Sequence, residues 1–308
     1  MILNEQTMIP ETKIAKEEIS TWFMGLQDRI CAALETADGK AKFREDLWTR
    51  EKGGGGRTRV ISHGTVFEKG GVNYSSVYGP TPDAILKALQ LPPGEFYATG
   101  VSIVIHPQNP LVPIIHMNVR YFEMSNGAWW FGGGIDLTPH YIVEADARLF
   151  HDALKQTCEK HTQGFYPEFK KWADDYFFIP HRKETRGIGG IFFDRLDSKR
   201  GSQEMLFQFV KDVGETFAPI YTSLVSKNKD LPFTEKQKQW QLLRRGRYVE
   251  FNLVYDKGTR FGLDTDGRTE SILMSLPEMA SWVYNHQAAP GSAEEKTLSL
   301  LKKGIDWV

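Results

Sequence analysis

Residues 100–139, GVSIVIHPQNPLVPIIHMNVRYFEMSNGAWWFGGGIDLTP, most constrain how this chain can fold. Within them, residues 114–122 alternate. Side chains two apart in a strand point the same way, so Ile115, Met117, Val119 and Tyr121 share one face and His116, Asn118 and Arg120 the other. An apolar face backed by a proton carrier, an amide and a fixed cation suits a strand that floors a polar pocket. The plainer alternative is a half-exposed strand with ordinary polar residues on its wet side. Ser102 and His106 share a parity on the preceding strand and can join the polar face. Asn126-Gly127 signals a hairpin. A two-residue loop would set Asp136 opposite Met117, on the apolar face, where an unpaired carboxylate is costly. One extra residue, in a three-residue loop or a bulge within 132–134, sets Asp136 opposite Asn118 on the polar face. That second arrangement is expected.

The rest of the chain supplies helices and further strands. Ile19, Trp22, Phe23, Leu26, Ile30 and Leu34 recur at helical spacing, predicting a helix over 12–37. A short amphipathic piece holds Phe43, Leu47 and Trp48. Four glycines at 53–56 are not followed by Gly-Lys-Ser/Thr, so they read as a mobile lid or a plain loop rather than a nucleotide-binding motif. Strands are expected at 57–61, 65–67 and 72–78, the last two joined by a turn at 68–71. Helices are expected at 83–90, at 144–161, around Phe169, Trp172 and Tyr176, and at 203–226. A strand is expected at 188–194. Thr234 and Gln237 form a capping box that opens a helix ending at 244–247. Strands then follow at 248–255 and 259–263, a helical turn at 270–276 and a terminal helix at 298–301. With no repeat or linker, this order predicts one α+β domain over residues 1–308: a large antiparallel sheet covered by helices.

Composition narrows the function. A net charge of -1 excludes broad nucleic-acid affinity. Aromatic residues make up 12% of the chain, which suits a roomy aromatic-lined pocket. Cys31 and Cys158 lie in helical stretches and read as reduced, buried thiols. No apolar run is long enough to span a bilayer. The start, MILNEQTMIPETK, lacks the build of a signal or transit peptide, so a cytoplasmic location is expected. The histidines show no HExxH or two-His-one-carboxylate spacing. Arg244, Arg245, Arg247, Arg260 and Arg268, with Asp264 and Asp266, form either a solvated basic surface or, where Arg268 follows Gly267, an anion site.

Several long runs carry a resemblance: GGGGRTRV (53–60), GVSIVIHPQNP (100–110), HMNVRYFE (116–123), WWFGGGIDLTP (129–139), HRKETRGIGGIFFD (181–194) and RRGRYVEFNLVYDKGTRFGLDTDGRTESILMSLP (244–277). In order, and over nearly the whole chain, they resemble the oxygen-dependent coproporphyrinogen-III oxidases. The resemblance implies a flat antiparallel sheet sandwiched by helices, in a homodimer with residues 248–283 at the interface. It implies oxidative decarboxylation of the ring A and B propionates of coproporphyrinogen III to vinyls, giving protoporphyrinogen IX in haem biosynthesis. Molecular oxygen is then the co-substrate and no organic cofactor is used. By the same resemblance His116 matches the proton donor of bacterial members. Asp136 matches the carboxylate that accepts the central pyrrole N–H groups, with Arg120 beside it. Ser102, Asn118, Arg120, Asp266, Gly267 and Arg268 match substrate contacts. His106, His116, His151 and His181 match the ligands of a divalent metal, although one imidazole cannot easily serve as both ligand and free proton donor. The family pattern has Gly where this chain has Asp266, so the backbone of that turn is the expected contact. Two other readings remain: a metal-dependent oxygenase built on the four histidines, and a tetrapyrrole carrier without turnover.

Overall fold

The computed structural model describes residues 13–81, 86, 92–264 and 267–308. Apolar alternation builds a seven-stranded antiparallel sheet. Along the chain run β1 (Arg44–Thr49), β2 (Gly54–Ser62), β3 (Phe67–Pro80), β4 (Glu95–Pro107), β5 (Ile114–Met124) and β6 (Trp129–Thr138). The short β7 (Phe178–Ile179) and β8 (Glu184–Thr185) pair with each other, and β9 (Gly189–Leu196) closes the main sheet in the order β1-β2-β3-β4-β5-β6-β9.

The two faces of this sheet differ as the alternation in β5 requires. Ile115, Met117, Val119 and Tyr121 are buried in one cluster with Phe23, Phe150, Phe169 and Phe217. These come from the helices α1 (Lys16–Asp38), α2 (Glu144–Glu159), α3 (Phe165–Tyr176) and α4 (Gln203–Asn228). Burying one such side chain stabilises by about 1.5–3 kcal/mol. The opposite face is polar. Thr58, Asn73, Ser102, Asn118 and Gly134 lie side by side in register across β2 to β6, and Val104, His116, Asp136 and Gly190 form the next row.

Over the polar face lie α5 (Glu235–Val254), α6 (Lys257–Asp264) and α7 (Thr269–Leu273); α8 (Ala293–Leu300) follows. The capping box on Thr234 and Gln237 is formed. A buried ion pair fastens α5 to the sheet. Arg245, 0% exposed, donates to both oxygens of Glu68 at 2.8 and 2.9 Å and to the Pro107 carbonyl at 2.8 Å.

Several local expectations are corrected. Residues 248–254 and 259–263 are helical, because Tyr248, Phe251 and Asn252 also recur at helical spacing and all three are buried, and Tyr255 is the C-cap of α5. Asp256 then caps α6 by accepting from the Thr259 amide and hydroxyl. Residues 44–49 form an edge strand, and Gly54, Gly55 and Gly56 lie in β2 rather than in a lid. The turn before β3 falls at 63–66, with His63 at φ 54°, and 68–71 continue the strand. Gly71 lets the Met274 sulfur pack onto the sheet, and a Cβ there would make that methionine move. The helix expected at 83–90 lies outside the described residues apart from position 86.

Candidate active site

The β5–β6 turn decides what Asp136 can touch. Met124 donates to the Ala128 carbonyl at 2.8 Å and Gly127 to the Met124 carbonyl at 2.9 Å, which makes a three-residue loop of 125–127. Gly127 takes the left-handed conformation that this loop needs, at φ 89°. The extra residue expected from the parity argument is therefore present, on the β5 side. Asp136 lies opposite His116 rather than Asn118, still on the polar face, and Arg120 lies opposite Gly132.

Asp136 is 1% exposed. Its Oδ1 accepts from His116 Nδ1 at 2.7 Å, and both its oxygens accept from Arg186 Nη2 at 2.8 Å. Arg186, 3% exposed, lies in an aromatic box with the ring centroids of Phe177, Tyr248 and Phe251 at 4.5, 4.6 and 4.7 Å. Its Nη1 donates to Asn252 Oδ1 at 2.9 Å. Burial alone would raise the carboxyl, but the Arg186 charge and the His116 bond outweigh it and hold Asp136 below the usual carboxylate range. Sequence reasoning missed Arg186. Its only signal was an Arg-Gly step just before a glycine-led strand.

Arg120 does not pair with Asp136. Its Nη1 donates to Asn118 Oδ1 at 2.7 Å and its Nη2 to Asp194 Oδ1 at 2.9 Å. Gly132 leaves room for that guanidinium, since a Cβ there would come within 2.8 Å of Arg120 Nη2. Ser102 and Asn118 are neighbours in register and both half-buried, and the His116 side chain is 20% exposed.

Arg268 and the start of α7 are held over the other half of the same face. Arg268 pairs with Asp46 and lies 5.9 Å from the Trp48 ring centroid. Ser271 bonds Thr58 Oγ1 at 2.8 Å, and the Ser271 carbonyl accepts from Asn73 at 2.7 Å. A cavity of about 280 Å³ lies between Arg44, Lys69 and Arg268. Gly267 donates to the Gly262 carbonyl at 2.8 Å, whereas Asp266 lies outside the described residues.

The four histidines do not meet as a ligand set. His116 is bound to Asp136. His151 lies among the helices beyond the apolar face, between the Tyr166 hydroxyl and the Ile188 carbonyl. His181 is tied to Glu250 and Tyr255. His106 is sealed under α5 with Nε2 on the Ser275 carbonyl; its Nδ1 has no partner, but the nearby charge of Arg245 repels a cation. Among the described residues no group of three or more His, Cys, Asp or Glu could hold a metal.

The buried histidines give the fold an acid limit. Burial, with the Arg245 charge, pushes His106 down to about 3, and burial pushes His151 down to about 4. Burial and Arg245 hold His140 well below its ordinary value. In the unfolded chain each takes up a proton near pH 6.5. Their contribution is therefore complete above about pH 6.5 and is lost as pH falls toward about 4, by about 1.4 kcal/mol per unit per histidine. Urea midpoints should be lower at pH 5 than at pH 7; equal midpoints would contradict this assignment.

Comparison with known proteins places this chain in a family. A family model described as Coproporphyrinogen III oxidase matches residues 18–307. The chain is 52% identical to an oxygen-dependent coproporphyrinogen-III oxidase, chloroplastic, of Glycine max, over 92% of this chain and 77% of the relative. It is 50% identical to coproporphyrinogen-III oxidase 1, chloroplastic, of Arabidopsis thaliana, over 95% and 79%. It is 45% identical to the oxygen-dependent coproporphyrinogen-III oxidase of Prochlorococcus marinus, over 96% and 94%.

Proposed function

The chain belongs to the coproporphyrinogen III oxidase family, and from that premise we propose how its polar sheet face performs the reaction. The enzyme converts the ring A and B propionates of coproporphyrinogen III to vinyls with O2, a step of haem biosynthesis that gives protoporphyrinogen IX. Each conversion balances as R–CH2–CH2–COO⁻ + O2 + H⁺ → R–CH=CH2 + CO2 + H2O2. The electron pair leaves the substrate side chain and reduces oxygen, so the chain need supply no organic redox group. One proton is consumed per turn.

The observation that carries this reading is that Ser102, Asn118, Arg120 and His116 share one half-buried sheet face. Arg120 and Arg268 clamp propionates; each is now paired with a partly exposed aspartate, Asp194 or Asp46, that a substrate carboxylate can replace. Ser102, Asn118 and the backbone around Gly267, Asp266 included, complete the contacts. His116 carries the proton, and Asp136 stands beneath it as a fixed anion. The test is stoichiometry: two O2 consumed and two CO2 released per protoporphyrinogen. A ratio of one, or product without oxygen uptake, would refute the balance.

We also propose a homodimer, supported by the apolar side chains of Leu253, Val254, Leu263, Trp282 and Val283, each 41% exposed or more and all within 248–283. Sedimentation at the mass of one 35.1 kDa chain would remove this. A cytoplasmic location suits Cys31 and Cys158, both buried and free; finding the protein only in another compartment would contradict it. No described helix is long and apolar enough to cross a membrane.

A further inference from the structure

The Asp136 carboxylate can only accept hydrogen bonds, so the 2.7 Å contact requires His116 to carry a proton on Nδ1. The other ring nitrogen, Nε2, then holds the lone pair or second proton that can be exchanged with a ligand. It has no hydrogen-bond partner among the described residues, and the side chain is 20% exposed toward the face shared with Asn118 and Arg120. Asp136 itself is 1% exposed, so a macrocycle lying on this face meets the imidazole first. Arg186 keeps the carboxylate where it is. Its guanidinium is held among Phe177, Tyr248 and Phe251, Nη1 donates to Asn252, and Nε has no partner, so Asp136 is the anion that neutralises it.

We propose that Arg186 and Asp136 are a positioning pair for His116, setting its tautomer and aiming Nε2 at the porphyrinogen, so that Asp136 acts through the imidazole and not on the pyrrole nitrogens. This rests on the assignment of the polar face as the oxidase site. It changes the role that resemblance alone gives to Asp136, and it gives a role to Arg186. The groups facing the triad are Tyr248, Phe251 and Asn252 from α5, Phe177 after α3, the buried His106 from β4, and Asp256, which is occupied by Tyr176 and Thr259.

The Asp136→Asn variant isolates the idea because it keeps the shape. Arg186 would hold the amide oxygen and turn the NH2 toward His116. The imidazole must then accept at Nδ1 and move its proton to Nε2. Nitrogen-15 NMR of histidine-labelled protein should show His116 as the Nδ1–H tautomer in the wild type and as Nε2–H in Asp136→Asn. Turnover of coproporphyrinogen III should lose about 100-fold in kcat, within the range of acid-base groups, with KM changed less than about threefold. His116→Ala should show a similar loss, and adding Asp136→Asn to it should cost less than about threefold more. Arg186→Lys keeps the charge, loses the Nη1 bond to Asn252 that orients the guanidinium, and should also lower kcat rather than raise KM. Should that variant not fold, the Asp136→Asn cycle decides.

An equal Asp136→Asn loss with and without His116, or a loss seen mainly in KM, would show that Asp136 meets the substrate directly and would overturn the proposal. Full kcat in His116→Ala would also overturn it. A wild-type protein that forms no vinyl product would instead overturn the oxidase assignment.

Discussion

Glu68→Ala should destabilise the chain by about 3–5 kcal/mol, the cost of leaving a buried charge without its partner. Arg245 is fully buried and its fork closes on both oxygens of Glu68. Its other contacts are the carbonyls of Pro107 and Met279, which cannot neutralise it. Lys238, 3.5 Å from Glu68, would sit beside an uncompensated guanidinium. The damage should reach the site as well, because this pair holds α5 over β3 and β4, and α5 also carries Tyr248, Phe251 and Asn252 of the Arg186 box. Replacing both partners, as Glu68→Leu with Arg245→Met, should cost less than Glu68→Ala alone. Chemical denaturation reads both values; a single substitution within about 1 kcal/mol of wild type would show that water or relaxation replaces the lost anion.

The second large effect is on catalysis. Arg120→Ala should lower kcat/KM by about 30- to 1000-fold, the worth of roughly 2–4 kcal/mol for a charge-assisted clamp on a carboxylate. Most of the loss should appear in KM, since in the role proposed for it the guanidinium binds a propionate without supplying the proton. The fold should survive. Arg120 is 37% exposed and its partner Asp194 30%, so water solvates the carboxylate left behind. A loss confined to kcat would instead place Arg120 at the reacting carbon.

The contrast between these arginines shows what a sequence makes legible. Alternation in residues 114–122 is a strong local signal, and it placed His116, Asn118 and Arg120 on one face as observed. Parity required one extra residue, in a longer loop or in a bulge within 132–134, and the loop of three residues supplies it. Parity could not choose the side of the loop that takes the extra residue, and this moved Asp136 from Asn118 to His116. Residues 248–255 alternate and also repeat at helical spacing, so only packing against Phe177 and Arg186 settles 248–254 as helix. Arg186 stands in HRKETRG among other charges. Its burial depends on rings from α5 and from Phe177, which no local pattern reveals. For the same reason Asp136→Ala, which would leave Arg186 unpaired in that box, should destabilise the fold as well as stop turnover.

The central claim is tested most directly by parallel aerobic and anaerobic incubations of the purified protein with coproporphyrinogen III, separating the tetrapropionate, tripropionate and dipropionate porphyrinogens over time. Under air the tripropionate should rise and pass to protoporphyrinogen IX, and without oxygen the substrate should remain unchanged. Equal product in both vessels, or no vinyl product in either, would contradict the assignment.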